Sequence, residues 1–288
     1  MTILISEINK FGVIFAADRN VTYFDKKTKT YRLHSASPKK KLISVREKGA
    51  GRLGLVVGCF GLAEIPQIKG KSVWTHDLIH ESENSCQGDT IGDFCAELSK
   101  QVQSALDNSS LPVEERGIGF HIGGFVEIGK RYWPTFWYLS NLTRENDTSV
   151  PYVRDDGKLN APGEDHFVGR DAKGYLPDRM DDYFTQHGSS IYFNGMIVVH
   201  NVILQITQAI IPLIQKVKNT YGQYEVELQG FGKLNSMNDH QKFIQITTMI
   251  TRDFYATYSS HQGKPIGGNV DIITIDTMQG LKEITTKC

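Results

Sequence analysis

The chain has no run of apolar residues long enough to cross a membrane, where about 18 or more would be needed. Its richest apolar stretch, residues 196–214 (MIVVHNVILQITQAIIPLI), is broken by His200, Asn201, Gln205, Thr207 and Gln208. It reads as a buried helix kinked at Pro212. Net charge is also missing: 32 basic residues meet 32 acidic ones. That balance gives no reason to expect nucleic acid or an anionic membrane as partner. The cluster Lys39-Lys40-Lys41, with Lys26, Lys27 and Lys29, is read as a solvated loop plus one functional lysine. Cysteine is sparse. Cys59, Cys86, Cys95 and Cys288 show neither metal spacing nor the density of a disulfide framework. Cys59 and Cys95 fall on apolar faces and are expected to be reduced and buried. The start of the chain lacks the basic and apolar segments of a signal peptide. A cytoplasmic protein is the default expectation. No linker rich in proline, glycine and serine divides the chain, and no repeat of fixed period is present. One domain over residues 1–288 is expected, with a polar segment at 142–190 that looks inserted.

What is present is a regular alternation of strand and helix signals. Residues 3–8 and 12–18 read as strands turning near Lys10. Residues 41–46 and 53–60 form a second pair, and 118–126 with 131–139 form an aromatic, glycine-rich hairpin. Thr90 to Leu106 is an amphipathic helix, with Ile91, Phe94, Cys95, Leu98, Val102 and Leu106 at helical spacing and Asp89 or Thr90 as cap. Residues 197–218 read as another helix. Met237 to Tyr258 reads as a third, capped by Asn238 or Asp239, with a core stripe through Phe243, Ile246, Ile250, Phe254 and Tyr258. Val270 to Ile275 is expected to be the last core strand. Strand pairs and helices in this order fit two sheets between helix layers.

The chemistry concentrates at the start of the chain. Thr2 follows Met1, and residues 12–22 read GVIFAADRNVT, placing Asp18 at the end of an apolar strand. Removing Met1 would put a hydroxyl and a free α-amine on one residue. A hydroxyl needs a base before it attacks, and an amine with a pKa of about 7.7–8.0 is suited to the task near neutrality. A nearby lysine lowers that pKa by repulsion, and a carboxylate holds the lysine in place. Residues 39–45 (KKKLISV) and 51–65 (GRLGLVVGCFGLAEI) supply a lysine-led strand and a buried strand running into Gly61.

These four pieces, in this order and with the Thr2-to-Asp18 spacing matched without a gap, resemble the β-type subunits of the proteasome and their bacterial relatives. Those proteins are N-terminal-nucleophile hydrolases. The resemblance covers the first third of the chain most clearly. It implies an α+β fold, a four-layer αββα sandwich. It implies Thr2 as nucleophile, Asp18 as the site carboxylate, Lys41 as the polarising lysine and Gly61 as oxyanion donor, with Gly58 a weaker candidate. Val21, Ile43, Cys59 and Ala63 would line the first specificity pocket, which points to cleavage after apolar residues. The implied activity is that of a threonine-type peptidase acting on peptides or unfolded proteins. It needs no cofactor and no metal. The implied partners are further copies of the chain in a ring-like assembly and an ATPase unfoldase. A start without a propeptide is like that of the simpler bacterial members.

The chain departs from the family in three places. Thr22 to Lys41 is longer than usual. The helper aspartate and serine ahead of the last core strand are absent from HQGKPIGGNVD (residues 261–271). The usual glycine-serine-glycine turn is replaced by YFNGMI (residues 192–197). A catalytically degenerate scaffold subunit and a small-molecule amidase therefore stay open, since a fold does not settle a substrate. A zinc peptidase is a further alternative. Residues 76–80 read HDLIH, which places His76 and His80 on one helix face, but with Asp77 where a longer glutamate base is wanted.

Overall fold

The computed structural model describes residues 3–25, 30–33, 40–45, 54–128, 131–143, 152–160, 163–176, 179–194, 205, 234–258, 266–276 and 280–286. Thr2 and, Gln205 aside, the expected helix at 197–218 lie outside the described residues. In chain order the first strands are β1 (Leu4–Asn9), β2 (Gly12–Asp18), β3 (Thr22–Asp25), β4 (Thr30–Leu33), β5 (Leu42–Val45) and β6 (Leu55–Gly61). The short β7 (Glu64–Ile65) and β8 (Val73–Trp74) lead into helices α1 (Thr75–Ser85) and α2 (Ile91–Asp107). Next come β9 (Ile118–Ile128), β10 (Arg131–Ser140), β11 (Leu142–Thr143), β12 (Tyr152–Val153) and β13 (Glu164–Asp165). After α3 (Met180–His187) come β14 (Ser189–Asn194), α4 (Met237–Tyr258), β15 (Val270–Asp276) and β16 (Gly280–Thr286).

Two five-stranded sheets form the body of the molecule. One runs β14-β1-β2-β15-β16 and the other β13-β10-β9-β6-β5, with antiparallel pairing throughout. Alternation along β1 assigns its faces. Leu4 and Ile8 pack with Val13, Phe15, Val56, Phe60 and Phe136 between the sheets. Ile3 and Ile5 point the other way, with Ile14, Ala16 and Ile272, onto Ile244 and Tyr255 of α4. On the far side of the second sheet, Ile43, Val57, Phe120 and Ile122 meet Leu78 and Ile79 of α1 and Phe94, Leu98 and Val102 of α2. Glycines let the two sheets approach. A Cβ on Gly123 would lie 2.6 Å from a ring carbon of Phe15, and one on Gly58 would lie 2.6 Å from Leu4 Cδ1, each on the opposite sheet.

Helix α2 begins where the sequence places it. Thr90 Oγ1 accepts the Asp93 N–H at 3.1 Å and Asp93 returns a bond to the Thr90 N–H, closing a capping box. Two expectations about α4 are corrected. Its cap is Ser236, whose hydroxyl accepts the Asp239 N–H at 3.2 Å. Its buried face carries Ile244, Thr247, Thr248, Thr251 and Tyr255, whereas Ile246, Ile250 and Phe254 are exposed at 56%, 46% and 37%. Threonines can occupy the inner face because their hydroxyls bond back to their own helix: Thr248 to the Ile244 carbonyl at 2.7 Å, Thr251 to the Thr247 carbonyl at 2.8 Å. Periodicity in apolar residues alone reads such a face backwards. Strand β15 is buried along its whole length, as expected of a core strand, and β16 pairs with it on the outer edge of the sheet. The polar 142–190 segment supplies Phe167, Met180, Tyr183 and Phe184 to the core between the sheets.

Candidate active site

Strand β2 (GVIFAAD) is buried along its whole length, and its last residue, Asp18, ends up inside the protein. Burying a carboxylate costs several kcal/mol unless it is paired and fully hydrogen-bonded. Asp18 is both. Its Oδ1 accepts the Ile3 N–H at 2.8 Å and the Lys41 ammonium at 2.8 Å, and its Oδ2 accepts the Gly267 N–H at 3.2 Å. The Asp18 N–H donates in turn to the Ile3 carbonyl at 3.3 Å. One carboxylate thus ties the residue next to Thr2, the lysine and the turn before β15. Lys41 is held from behind: the Cys59 N–H donates to its carbonyl at 2.9 Å, and Leu42 pairs with Gly58. Asp18 and Lys41, predicted from the motif, are brought together. Ile3 extends the site to the covalent neighbour of Thr2.

Sequence reasoning missed the turn at residues 266–269. Asn20 N–H donates to the Gly267 carbonyl at 3.2 Å and Arg19 N–H to the Asn269 carbonyl at 3.0 Å. The Arg19 guanidinium pairs with Asp271 at 2.6 Å, and Arg252 of α4 donates to the Gly268 carbonyl at 3.1 Å. This turn meets Asp18 through a backbone N–H, that of Gly267. The signal was the Gly267-Gly268 pair, which allows Gly268 a φ of 74°.

Gly61 ends β6 opposite Ile118 with a φ of 84°. A Cβ there would sit 2.3 Å from the Gly117 carbonyl oxygen. Gly61→Ala is expected to cost about 1–3 kcal/mol from backbone strain alone; urea unfolding checks this, and an unchanged midpoint would contradict it. Gly58 has a packing reason of its own, because a Cβ would lie 2.6 Å from Leu4 Cδ1. Of the expected pocket residues, Ile43 and Cys59 lie in the cluster that faces α1 and α2. Val21 is buried and Ala63 half-buried, its carbonyl accepting the Thr75 N–H at 3.0 Å. Burial pushes the Cys59 thiol up to about 11, against the opposing pull of the Lys41 charge.

His76 and His80 do share a face of α1, with ring centroids 4.7 Å apart. His80 lies 3.4 Å from Glu83 and His76 3.4 Å from Asp77. Among the described residues no three His, Cys, Asp or Glu side chains are arranged to hold a metal ion. Among them, too, no helix is long and apolar enough to cross a membrane.

A second buried polar group had no sequence signal. Ser6, on the inter-sheet face of β1, bonds His121 Nδ1 on β9 at 2.7 Å, and Asn194 of β14 bonds the other ring nitrogen. Desolvation, with the nearby His166 adding to it, pushes His121 down to about 3. The native protein therefore holds the ring neutral. Between about pH 6.5 and pH 3 the unfolded chain binds the extra proton, so stability is lost as pH falls through that window. His121 is expected to lower stability by about 2 kcal/mol on going from pH 7 to pH 5. Urea titrations of the wild type and His121→Gln at both pH values test this. Equal pH dependence in the two proteins would refute it.

No family model matches the chain, and no curated protein matches it. Among solved structures it is similar to the Gly-1 mutant of Anbu from Hyphomicrobium sp. strain MC1, at 11% identity and a TM-score of 0.49, over 100% of this chain and 89% of that one. What the described residues define is a mixed α+β protein of antiparallel sheets with a buried aspartate–lysine pair at the end of its second strand.

Proposed function

We propose that the chain is an N-terminal threonine hydrolase of the proteasome-like kind, built as a four-layer αββα sandwich. The packing order supports the layering: α1 and α2 on one sheet, that sheet on the other, and α4 outside. The observation that carries the activity is the Asp18 carboxylate bonded at once to Lys41 and to the N–H of Ile3. That arrangement puts a fixed positive charge beside the residue that follows Thr2. In the proposed reaction, the α-amine of a chain beginning at Thr2 takes the proton from the Thr2 hydroxyl. The oxygen bonds to the scissile carbonyl carbon, and the Gly61 N–H receives the oxyanion. Such a donor typically contributes about 2.7–4 kcal/mol. The C–N bond breaks as the leaving amine takes the proton, and water then hydrolyses the ester and restores the hydroxyl. Lys41 holds the amine's pKa down, and Asp18 holds Lys41.

Cleavage after apolar residues is part of the proposal, with Val21, Ile43, Cys59 and Ala63 forming the apolar wall. Peptide libraries check it, and strong cleavage after arginine or glutamate would overturn it. A ring-like homo-oligomer is the proposed assembly, one on which an ATPase unfoldase would act. Light scattering that returned a monomer would contradict it. The second reading is a proteasome-like subunit that assembles without cutting. It draws on residues 266–269, which hold no aspartate or serine. Intact mass after exposure to a peptide epoxyketone decides between the two. One adduct on a chain that begins at Thr2, absent from Thr2→Ala, supports the hydrolase. A processed chain that takes no adduct supports the scaffold.

A further inference from the structure

A cavity of about 500 Å³ lies along β14, and the proposed mechanism does not use it. One wall is β14, which runs antiparallel to β1 with Asn194 opposite Leu4 and Ser190 opposite Ile8. At about 3.3 Å per residue the cavity follows β1 for roughly 13 Å. It starts at the level of Leu4, next to the Ile3 that Asp18 holds. Its size falls within the range of sites that take drug-sized ligands, about 300–1,000 Å³.

The floor is polar and fixed. His121 is fully buried and Asn194 nearly so, and they are bonded to each other above Ser6, against a cluster of aliphatic and aromatic side chains. Polar groups buried without need are costly, and a satisfied network of this kind is rigid. Around it stand aromatic and apolar surfaces, Tyr138, Leu142 and Tyr192. At the rim, Arg170 is exposed on the π-helical turn Phe167–Asp171. Its neighbour Asp171 accepts a hydrogen bond from the Tyr192 hydroxyl. Among the described lining residues the charged side chains are the Arg170 guanidinium and the Asp171 carboxylate. Arginine matches a carboxylate with two parallel bonds.

We propose that this cavity binds the carboxylate end of a short peptide laid along β14, with the carboxylate on Arg170 and the peptide amides on Asn194 and His166. The class of ligand is a short peptide with a free C-terminus and an apolar or aromatic last side chain. The proposal rests on the peptidase reading. On that reading the cavity holds the carboxyl end of a substrate.

The test uses dansyl-Gly-Leu-Phe as free acid and as C-terminal amide, with binding followed by fluorescence anisotropy on the intact protein. The acid is expected to bind at least tenfold more tightly than the amide. That preference should vanish in Arg170→Gln, persist in part in Arg170→Lys, and weaken as salt is raised. Equal binding of acid and amide, or a preference that survives Arg170→Gln, overturns the proposal. Epoxyketone labelling separates it from the reading beneath. A Thr2 adduct with no acid preference sinks the cavity proposal alone. An acid preference that depends on Arg170, without any adduct, sustains the cavity and sinks the hydrolase.

Discussion

Lys41→Met is expected to abolish epoxyketone adduct formation and to destabilise the protein by about 3–5 kcal/mol, the usual result of removing one partner of a buried ion pair. Asp18 and Lys41 are nearly inaccessible to water, and the loss leaves a carboxylate in the interior with only the Ile3 and Gly267 N–H groups to hold it. Two effects are then mixed, loss of folded protein and loss of the site charge. The double variant Asp18→Asn with Lys41→Met separates them. Replacing both charges removes the unpaired ion, so much of the stability should return while reactivity stays absent. Urea unfolding gives the first quantity and the time course of adduct mass the second. If Lys41→Met were labelled as fast as the wild type, the lysine would have no role in the chemistry, and the pair would be a structural ion pair only.

The second large effect is expected at Thr2. Thr2→Ala should reduce peptide turnover on the order of 10⁴-fold or more, since removing a nucleophile removes the covalent path itself. Stability should move little, because the substitution deletes two small atoms at a terminus. Thr2→Ser, which keeps a hydroxyl and an amine on one residue, should retain measurable activity. The comparison of Ala with Ser by intact mass and by turnover distinguishes a nucleophile from a residue that only shapes the site. Turnover in Thr2→Ala within tenfold of the wild type would exclude this mechanism.

Much of the architecture was legible because its elements are written in local patterns. The β1–β2 hairpin, the β5–β6 pair, the β9–β10 hairpin and α2 with its Thr90 cap all follow from apolar runs, glycine turns and capping chemistry. Asp18 and Lys41 were picked out by the resemblance of the first third of the chain to proteasome β-type subunits. The errors have one physical root. Sequence periodicity measures apolarity, whereas burial depends on whether each group is satisfied in place. On α4 the threonines go inward because their hydroxyls are satisfied by carbonyls one turn back, and three large apolar residues stay outside. The 142–190 segment, polar in composition, still sends Phe167 and Phe184 into the core, where their rings stack at a 5.5 Å centroid distance.

By itself the sequence determined an α+β chain of neutral charge, the candidate nucleophile Thr2, and two strand ends, one carrying an aspartate and the other a lysine. Those are properties of residue type and of order along one dimension. Only the tertiary structure decided that Asp18 meets Lys41, Ile3 and Gly267 together, partners 23, 15 and 249 residues away along the chain. It also decided that Ser6, His121 and Asn194 converge between the sheets beside a cavity. The reason is that a buried polar group must find its partners wherever the packed strands bring them, and no local pattern records a bond that spans most of the chain.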